Sequence, residues 1–344
     1  MESIQIDETK IPNLNDKVAL VTGMYIINSA KTSGASGIGH AAAQILLNKG
    51  ATVHVICLEG TIPSAQPEGS QTTGSPNRLH YHACDVRVWE DLRAVFESVG
   101  RVDYVFANAG IAESGGVDFF ADNLDDAGKL AEPEWKSIFE VNVFGVLNTA
   151  KLAVSSMRKH KVAAGGIVIT TSATAYAPEH NLPIYVTSKT ALLGLIRSLR
   201  SNLPSATAKT TIGASDNDGC DVDITINGVA PAATITGMLS PEFAAPILAQ
   251  GLPVSSAHFV GLALVYSATA TQESRVAVYG KESEARRMWE AGQRWNGRVL
   301  LTLGETCTEL EEPLADLGPF WFGAENIRLM RKQQAAMDTR PLLQ

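Results

Sequence analysis

Short apolar runs alternate along this chain with stretches in which apolar residues return every three or four positions, and segments rich in Gly, Pro, Ser and Thr separate them. The runs at 17–21, 51–57, 80–85, 102–108, 166–172, 222–229 and 298–304 are short, and most are apolar and β-branched, which predicts buried strands. Helical spacing predicts helices over 40–47, 89–99, 133–160, 185–203 and 257–268, and a charged helix over 282–292. In the stretch 133–160, residues Trp135, Ile138, Phe139, Val143, Phe144 and Leu147 build a broad apolar face. Segments 59–77 and 204–221 collect turn residues without apolar periodicity and read as loops.

Strands alternating with helices predict a parallel sheet covered on both faces, an α/β, doubly wound fold with ligands at the carboxyl ends of the strands. We expect a single domain over residues 17–310, an N-terminal extension at 1–16, and a tail at 311–344 that packs on the domain or is partly mobile. No internal repeat or long linker divides the chain.

The first strand ends in Thr22-Gly23, whereas the glycine-rich start of the first helix, Gly34-Ala35-Ser36-Gly37-Ile38-Gly39, comes only after residues 24–33. With those residues removed, strand, glycine turn and helix are the parts of a dinucleotide site. Glycines let the backbone approach a pyrophosphate, and the helix N-terminus supplies free N–H groups and a positive dipole end. The expectation is an inserted loop in the first glycine-rich turn, where phosphates would lie.

Composition narrows the class. Hydrophobic residues make up 45% and charged residues 19%, as in an ordinary globular protein, and a net charge of −8 argues against nucleic acid or an anionic membrane as main partner. Cys57, Cys84, Cys220 and Cys307 are widely spaced with no C-x-x-C pair, so neither a zinc site nor a disulfide framework is indicated. The acidic residues 1–8 lack the order of a signal peptide, and no apolar run is read as a membrane span. A soluble cytoplasmic protein is expected. His40, His54, His80 and His82 show no metal-ligand spacing and read as packing or surface residues, with no metal expected.

Candidate chemistry centres on Tyr185 and Lys189, spaced i, i+4 and so on one face of a helix. A phenol is a poor acid–base group at neutral pH, and a nearby ammonium lowers its pKa by favouring the phenolate. Ser172, ending the preceding strand, is placed to hold a substrate oxygen against Tyr185, and Asn142 to hold a water or backbone carbonyl that positions Lys189. Together they make a proton relay of the kind hydride transfer to a carbonyl requires.

Thr22-Gly23 with Gly34, Gly37 and Gly39, then Asp85, Asn108-Ala109-Gly110, Asn142, Ser172 and Tyr185-Val-Thr-Ser-Lys189 resemble the short-chain dehydrogenase/reductase family, in order and spacing, from about residue 17 to about 236. The resemblance implies a Rossmann-type domain, NAD(P) as cofactor and Tyr185 as general acid/base. It also implies that Ser172 orients the substrate oxygen, that Lys189 binds the nicotinamide ribose while lowering the Tyr185 pKa, and that Asn142 completes a tetrad. Cofactor contacts are implied for Thr22, Gly23, Gly34, Ser36, Gly37, Ile38, Gly39, Asp85 with Val86 at the adenine, Asn108, Ala109 and Gly110 beside the central strand, Pro231 in an Ala-Pro-Ala turn, and Thr236 at the carboxamide. Asn108 reads as structural in any case, and Asp85 has a rival role as a helix cap.

At the end of the second strand Cys57 and Leu58 stand where an acid would bind a ribose diol, and Glu59 follows; no Lys or Arg lies between 51 and 77. A 2′-phosphate lacks a partner there, so NAD(H) is favoured with Glu59 as diol acceptor, and NADP(H) is not excluded. The apolar segment 235–254 carries no Arg or Lys, which suits a hydrophobic small-molecule alcohol or ketone, and the overall look resembles members from fungal secondary metabolism. The alternative is a degenerate, non-catalytic relative with an impaired cofactor turn. The two long apolar helices resemble those that pair across homodimers or homotetramers of the family. The trio Phe320-Trp321-Phe322 reads as a tail docking on its own domain, with a cover over the substrate pocket as the lesser reading.

Overall fold

Near-continuous burial along the central strands, complete over Tyr104–Ala107 and broken only at the first residue of Ala164–Thr170, builds the molecule around a sheet with an apolar layer on either side. The computed structural model describes residues 3–23, 25–27, 34–59, 78–113, 119, 122–131, 135–203, 222–273, 276–277, 288–289 and 291–337. The elements begin with β1 (Val18–Thr22), a small hairpin of β2 (Tyr25–Ile27) and β3 (Gly34–Ser36), α1 (Ile38–Asn48), β4 (Thr52–Cys57), β5 (Leu79–Ala83), α2 (Trp89–Val99) and β6 (Tyr104–Ala107). A long helix follows in three parts: α3 (Trp135–Phe139), a π-helical stretch Glu140–Gly145, and α4 (Val146–Lys159). Then come β7 (Ala164–Thr170), α5 (Pro183–Leu199), β8 (Asp223–Pro231), β9 (Thr234–Ile235), α6 (Pro241–Ala249), β10 (Ser255–Ser256) and α7 (Ala257–Thr269). The short pair β11 (Val276–Ala277) and β12 (Met288–Trp289), β13 (Val299–Leu303), β14 (Thr306–Glu309), α8 (Glu311–Asp316) and α9 (Ala324–Ala336) complete the chain.

Eight strands form the main sheet in the order β14-β13-β8-β7-β6-β1-β4-β5. β1 pairs in parallel with β4 on one side, Val18 opposite Thr52, and with β6 on the other, Ala19 opposite Tyr104. The strand order therefore reverses at β1, and the carboxyl ends of β1 and β6 flank the crevice where open α/β sheets take ligands. Only the edge strand β14 runs antiparallel in this sheet, so the expected parallel, doubly wound domain is present with one addition. On one face Ala19, Val21, Val53 and Val55 pack with Ile45 and Leu46 of α1 and Val260 and Leu264 of α7. On the other Leu20, Ile56, Val105 and Ile167 pack with Leu92 and Phe96 of α2, Met157 of α4, and Leu192 and Ile196 of α5. Residues two apart on a strand share a face, so one apolar run feeds both layers.

Several expectations change. The joined helix Trp135–Lys159 has 25 residues, and an 18-residue window within it reaches a mean hydropathy of 1.2, long and apolar enough by length and composition to cross a membrane, contrary to the sequence reading. It lies along the sheet, with Ala153 and Met157 fully buried in that second layer. Met288–Trp289 pairs with Val276–Ala277 as a short antiparallel ladder rather than a helix. Loop assignments at 60–77 and 204–221, and helix positions 282–287, lie outside the described residues. Phe320 is 86% and Trp321 70% exposed, so the aromatic trio does not dock on its own domain; Glu311 of α8, 3% exposed, is what anchors that end of the chain.

Candidate active site

The first glycine turn is built differently from the sequence reading. After Gly23 the chain makes the β2–β3 hairpin, in which Gly34 stands opposite Ile27 and Ser36 opposite Tyr25. Gly34 and Ser36 thus spend their backbone in a ladder rather than in the phosphate turn, because the insertion is long enough to pair with itself. The turn is left to Gly23, Gly37, Ile38 and Gly39. Gly23 has φ +73°, and a Cβ there would lie 2.3 Å from the Ala109 Cα, so only glycine lets the end of β1 pass the end of β6. Gly37, at φ +98°, is the N-cap of α1 and makes no side-chain capping bond, which leaves the first N–H groups of the helix open to an anion. Among the described residues, its chain neighbours apart, no heavy atom lies within 4 Å of where a Gly37 Cβ would be. This open cradle at the switch point fits the pyrophosphate of a nicotinamide dinucleotide.

Around it, Thr22 and Asn108 are joints. The Thr22 hydroxyl accepts from the N–H groups of Asn108 and Ala109, both at 3.1 Å. The Asn108 amide donates to Thr22 O and Gly23 O and accepts from the Thr170 hydroxyl, tying β1, β6 and β7 at their carboxyl ends. Asp85 is not a helix cap, because Val88 occupies that position in α2. Its carboxylate accepts from the Arg87 N–H at 2.9 Å and from the Arg87 guanidinium at 2.6 Å, which holds its pKa below the usual carboxylate range. Any adenine contact would have to share that carboxylate with Arg87. The Val86 side chain belongs to the core. Glu59 is exposed just past β4, Pro231 ends β8, and the Thr236 hydroxyl accepts from the Met238 and Leu239 N–H groups at 3.2 and 3.4 Å.

The residues expected to form an acid–base set come together where β7 ends and α5 begins. Ser172 follows β7 and caps the turn Ala173–Ala175, and its hydroxyl lies near enough to the Tyr185 phenol to favour the phenolate. Lys189 lies one turn along α5, its Nζ 5.6 Å from the Tyr185 ring centre and donating to Thr170 O at 2.9 Å. A Cβ on Gly110 would sit 3.2 Å from that Nζ, so glycine keeps the approach to the ammonium clear. Asn142 does hold a backbone carbonyl, that of Ile111, at 2.8 Å, and it also accepts from the Ile111 N–H at 2.8 Å and donates to the Ser188 hydroxyl at 2.9 Å. Its hydrogen bond to the helix that carries Lys189 goes to the neighbouring Ser188. The π-helical stretch carrying Asn142 widens the helix there, a distortion common at functional positions.

Electrostatics depart from expectation. Burial raises the Tyr185 pKa above the usual phenol value; Ser172 opposes this, and the charge of Glu113 adds to it. Desolvation depresses Lys189 to about 8. Burial of the phenol thus outweighs what the Lys189 ammonium does to favour its anion, and Lys189 is itself driven toward the neutral form. Lys189 also carries a stability signature. Its folded pKa lies below the unfolded value of 10.5, so between about pH 8 and pH 10 the unfolded chain binds the extra proton and stability rises with pH. Unfolding free energies from denaturant melts of wild type and Lys189→Met across that window are expected to differ in slope by about 1 kcal/mol per pH unit, and parallel curves would contradict the assignment.

The sequence reading missed Glu113, whose carboxylate accepts the N–H groups of Ile184 and Tyr185 from 71 and 72 residues away. The one local hint was the absence of a capping side chain at Leu182. Spacing also gave no sign that His54, His80 and His82 converge; His54 Nδ1 lies 2.9 Å from His82 Nε2, and burial first, then the neighbouring imidazoles, depress His54 to about 4. Among the described residues no group of three His, Cys, Asp or Glu side chains is placed to hold a metal ion.

The chain is similar to known proteins over most of its length. A family model described as short chain dehydrogenase matches residues 29–246. The short-chain dehydrogenase/reductase prx4 of Penicillium rubens is 45% identical over 340 residues, which cover 99% of this chain and 90% of that protein. The short-chain dehydrogenase/reductase ATR7 of Stachybotrys chlorohalonatus is 43% identical over 99% of this chain and 95% of its own. The crystal structure of gox2181 aligns with TM-score 0.56 at 23% identity over 76% of this chain and 92% of that one, a likeness of fold.

Proposed function

The chain belongs to the short-chain dehydrogenase/reductase family, and from that premise we propose that it moves a hydride between NAD(H) and a secondary alcohol or ketone of a hydrophobic small molecule, with Tyr185 as general acid/base. The observation that carries this reading is the convergence of Ser172, Tyr185 and Lys189, with Asn142 behind them, at the carboxyl end of the sheet. The nicotinamide ring, when bound, supplies or accepts the hydride. The chain's own residues handle the oxygen: Ser172 holds it, and the Tyr185 hydroxyl gives it a proton in reduction or takes one in oxidation. Lys189 sets the electrostatics of that hydroxyl and holds ribose hydroxyls, while the uncapped start of α1 holds phosphates.

Preference for NAD(H) rests on Glu59, exposed past the end of β4, and on the lack of Lys and Arg from 51 to 77. Calorimetric titration with NADH and NADPH is expected to favour NADH. Glu59→Ala should weaken NADH about tenfold, the worth of one hydrogen-bonded contact, and an unchanged affinity removes Glu59 from the site.

An apolar substrate is supported by the segment after β8. There Met238 is 53%, Phe243 76% and Leu248 49% exposed, an apolar surface without a cation to clamp a carboxylate or phosphate. The fungal relatives at 43 and 45% identity support a place in secondary metabolism. Exposed Trp135, Phe144 and Leu147 on the long helix support a homodimer or homotetramer. The β2–β3 hairpin favours one other reading, a binding protein without turnover. Titrating a chain that lacks 24–33 decides between them: NADH binding by the full chain upholds the enzyme, and binding by the shortened chain alone upholds the impaired site.

A further inference from the structure

Helix α5 carries the proposed acid/base in its first turn, yet its own sequence does not finish that turn. The N-cap is Leu182, which has no side-chain acceptor, and Pro183 follows at the first helical position. The free N–H groups find an acceptor from far along the chain. Glu113 Oε1 accepts from Ile184 N at 2.7 Å and from Tyr185 N at 3.1 Å, and Oε2 lies 3.2 Å from the same Tyr185 nitrogen. A carboxylate here also meets the positive end of the helix dipole.

The segment that delivers Glu113 is itself fixed. Two residues earlier, Asn142 brackets Ile111 through both its N–H and its carbonyl, and the same amide donates to the Ser188 hydroxyl on α5. Ser188 in turn donates to Tyr185 O at 2.7 Å. The strand end after β6 is thus joined to α5 at its first turn by Glu113 and one turn later through Asn142. We propose that Glu113 is a positioning residue that fixes the Tyr185 hydroxyl in place and tunes its protonation from the segment after β6. This rests on the reading of Tyr185 as the acid/base.

Charge makes the role more than a cap. Among the described residues two charged groups face Tyr185: Glu113 from the segment after β6 and Lys189 from α5 itself; the segment after β7 contributes the neutral Ser172. The negative charge of Glu113 works against the phenolate, so removing it shifts the Tyr185 titration to lower pH. A cap that served the helix alone would leave turnover unchanged in a variant that keeps an acceptor for the N–H groups.

The test uses the full-length protein with ring-carbon-labelled tyrosine, following each tyrosine by NMR as pH is raised, with Tyr185→Phe to assign the signal. Glu113→Gln keeps an acceptor for the N–H groups and loses the charge. It is expected to move the Tyr185 midpoint to lower pH and to reduce kcat roughly tenfold with KM within about twofold, since misplacing a proton donor costs turnover before binding. Glu113→Asp keeps the charge on a shorter stem and is expected to hold the wild-type midpoint while losing activity. A Tyr185 midpoint that is the same in Glu113→Gln and wild type overturns the proposal, as does a Glu113→Asp midpoint shifted as far as that of Glu113→Gln. If wild type turns over no secondary alcohol or ketone, the proposed function fails, and the titration still decides the role of Glu113.

Discussion

Tyr185→Phe is expected to lower kcat/KM for a secondary alcohol by roughly 10²–10⁴-fold, the range that a positioned proton donor contributes, while NADH affinity stays within about twofold. The substitution removes one oxygen and keeps the ring that Lys189 Nζ faces at 5.6 Å, so the packing of α5 survives. Ser172 still accepts from the Thr174 N–H and hydroxyl at 3.2 and 2.9 Å, so the turn after β7 keeps its shape. Loss of turnover with retained cofactor binding therefore isolates proton transfer. Measured by initial rates and NADH titration together, a residual activity within tenfold of wild type would mean that another group moves the proton.

The second large effect concerns stability. Glu311 of α8, 3% exposed, accepts from the Tyr176 hydroxyl at 2.8 Å, from Arg197 Nε and Nη2 at 2.8 and 2.7 Å, and from Arg200 Nη1 at 3.4 Å. It joins the C-terminal segment to α5 and to the turn that follows Ser172. Burial works to raise its pKa, but the hydrogen bonds and charge of Arg197, with Tyr176 and Arg200, outweigh it and leave the carboxyl below its ordinary value. Glu311→Ala removes one partner of a buried pair and strands the others, a change that costs about 3–5 kcal/mol. Arg197 is nearly half exposed and recovers water, which places the expectation at the lower end, about 3 kcal/mol in a denaturant melt. Because the folded pKa is lowered, this contribution is full above the unfolded pKa and fades as pH falls through the folded one. A loss under about 1 kcal/mol would show that the network is not what holds α8.

These two predictions draw on different levels of information. Tyr185, Lys189, Ser172 and Asn142 can be picked out in the sequence because acid–base chemistry needs particular residue types at the end of a strand and on one helix face, and both requirements leave local spacing behind. The alternation of strands and helices is legible for the same reason: β1, β4, β6, β7 and β8 alternate apolar positions or run apolar throughout, and α5 repeats Leu192, Leu195, Ile196 and Leu199 on one face. The glycine turn is legible only in part. Gly23 and Gly37 fall where the pattern puts them, at φ +73° and +98°, while Gly34 and Ser36 are taken into the β2–β3 ladder, since backbone groups in an insertion pair with each other wherever they can reach.

By itself, then, the sequence determined which residues share a face and which are candidates for chemistry, because period and residue type are properties of neighbours along the chain. Tertiary structure alone decided that Glu113 completes the first turn of α5, that Glu311 closes over Tyr176 and Arg197, that three imidazoles stack across β4 and β5, and that Tyr185 sits with a raised rather than lowered pKa. Each of these depends on desolvation or on partners as many as 135 residues apart. Such pairings are fixed by how the whole sheet closes, so no local pattern records them.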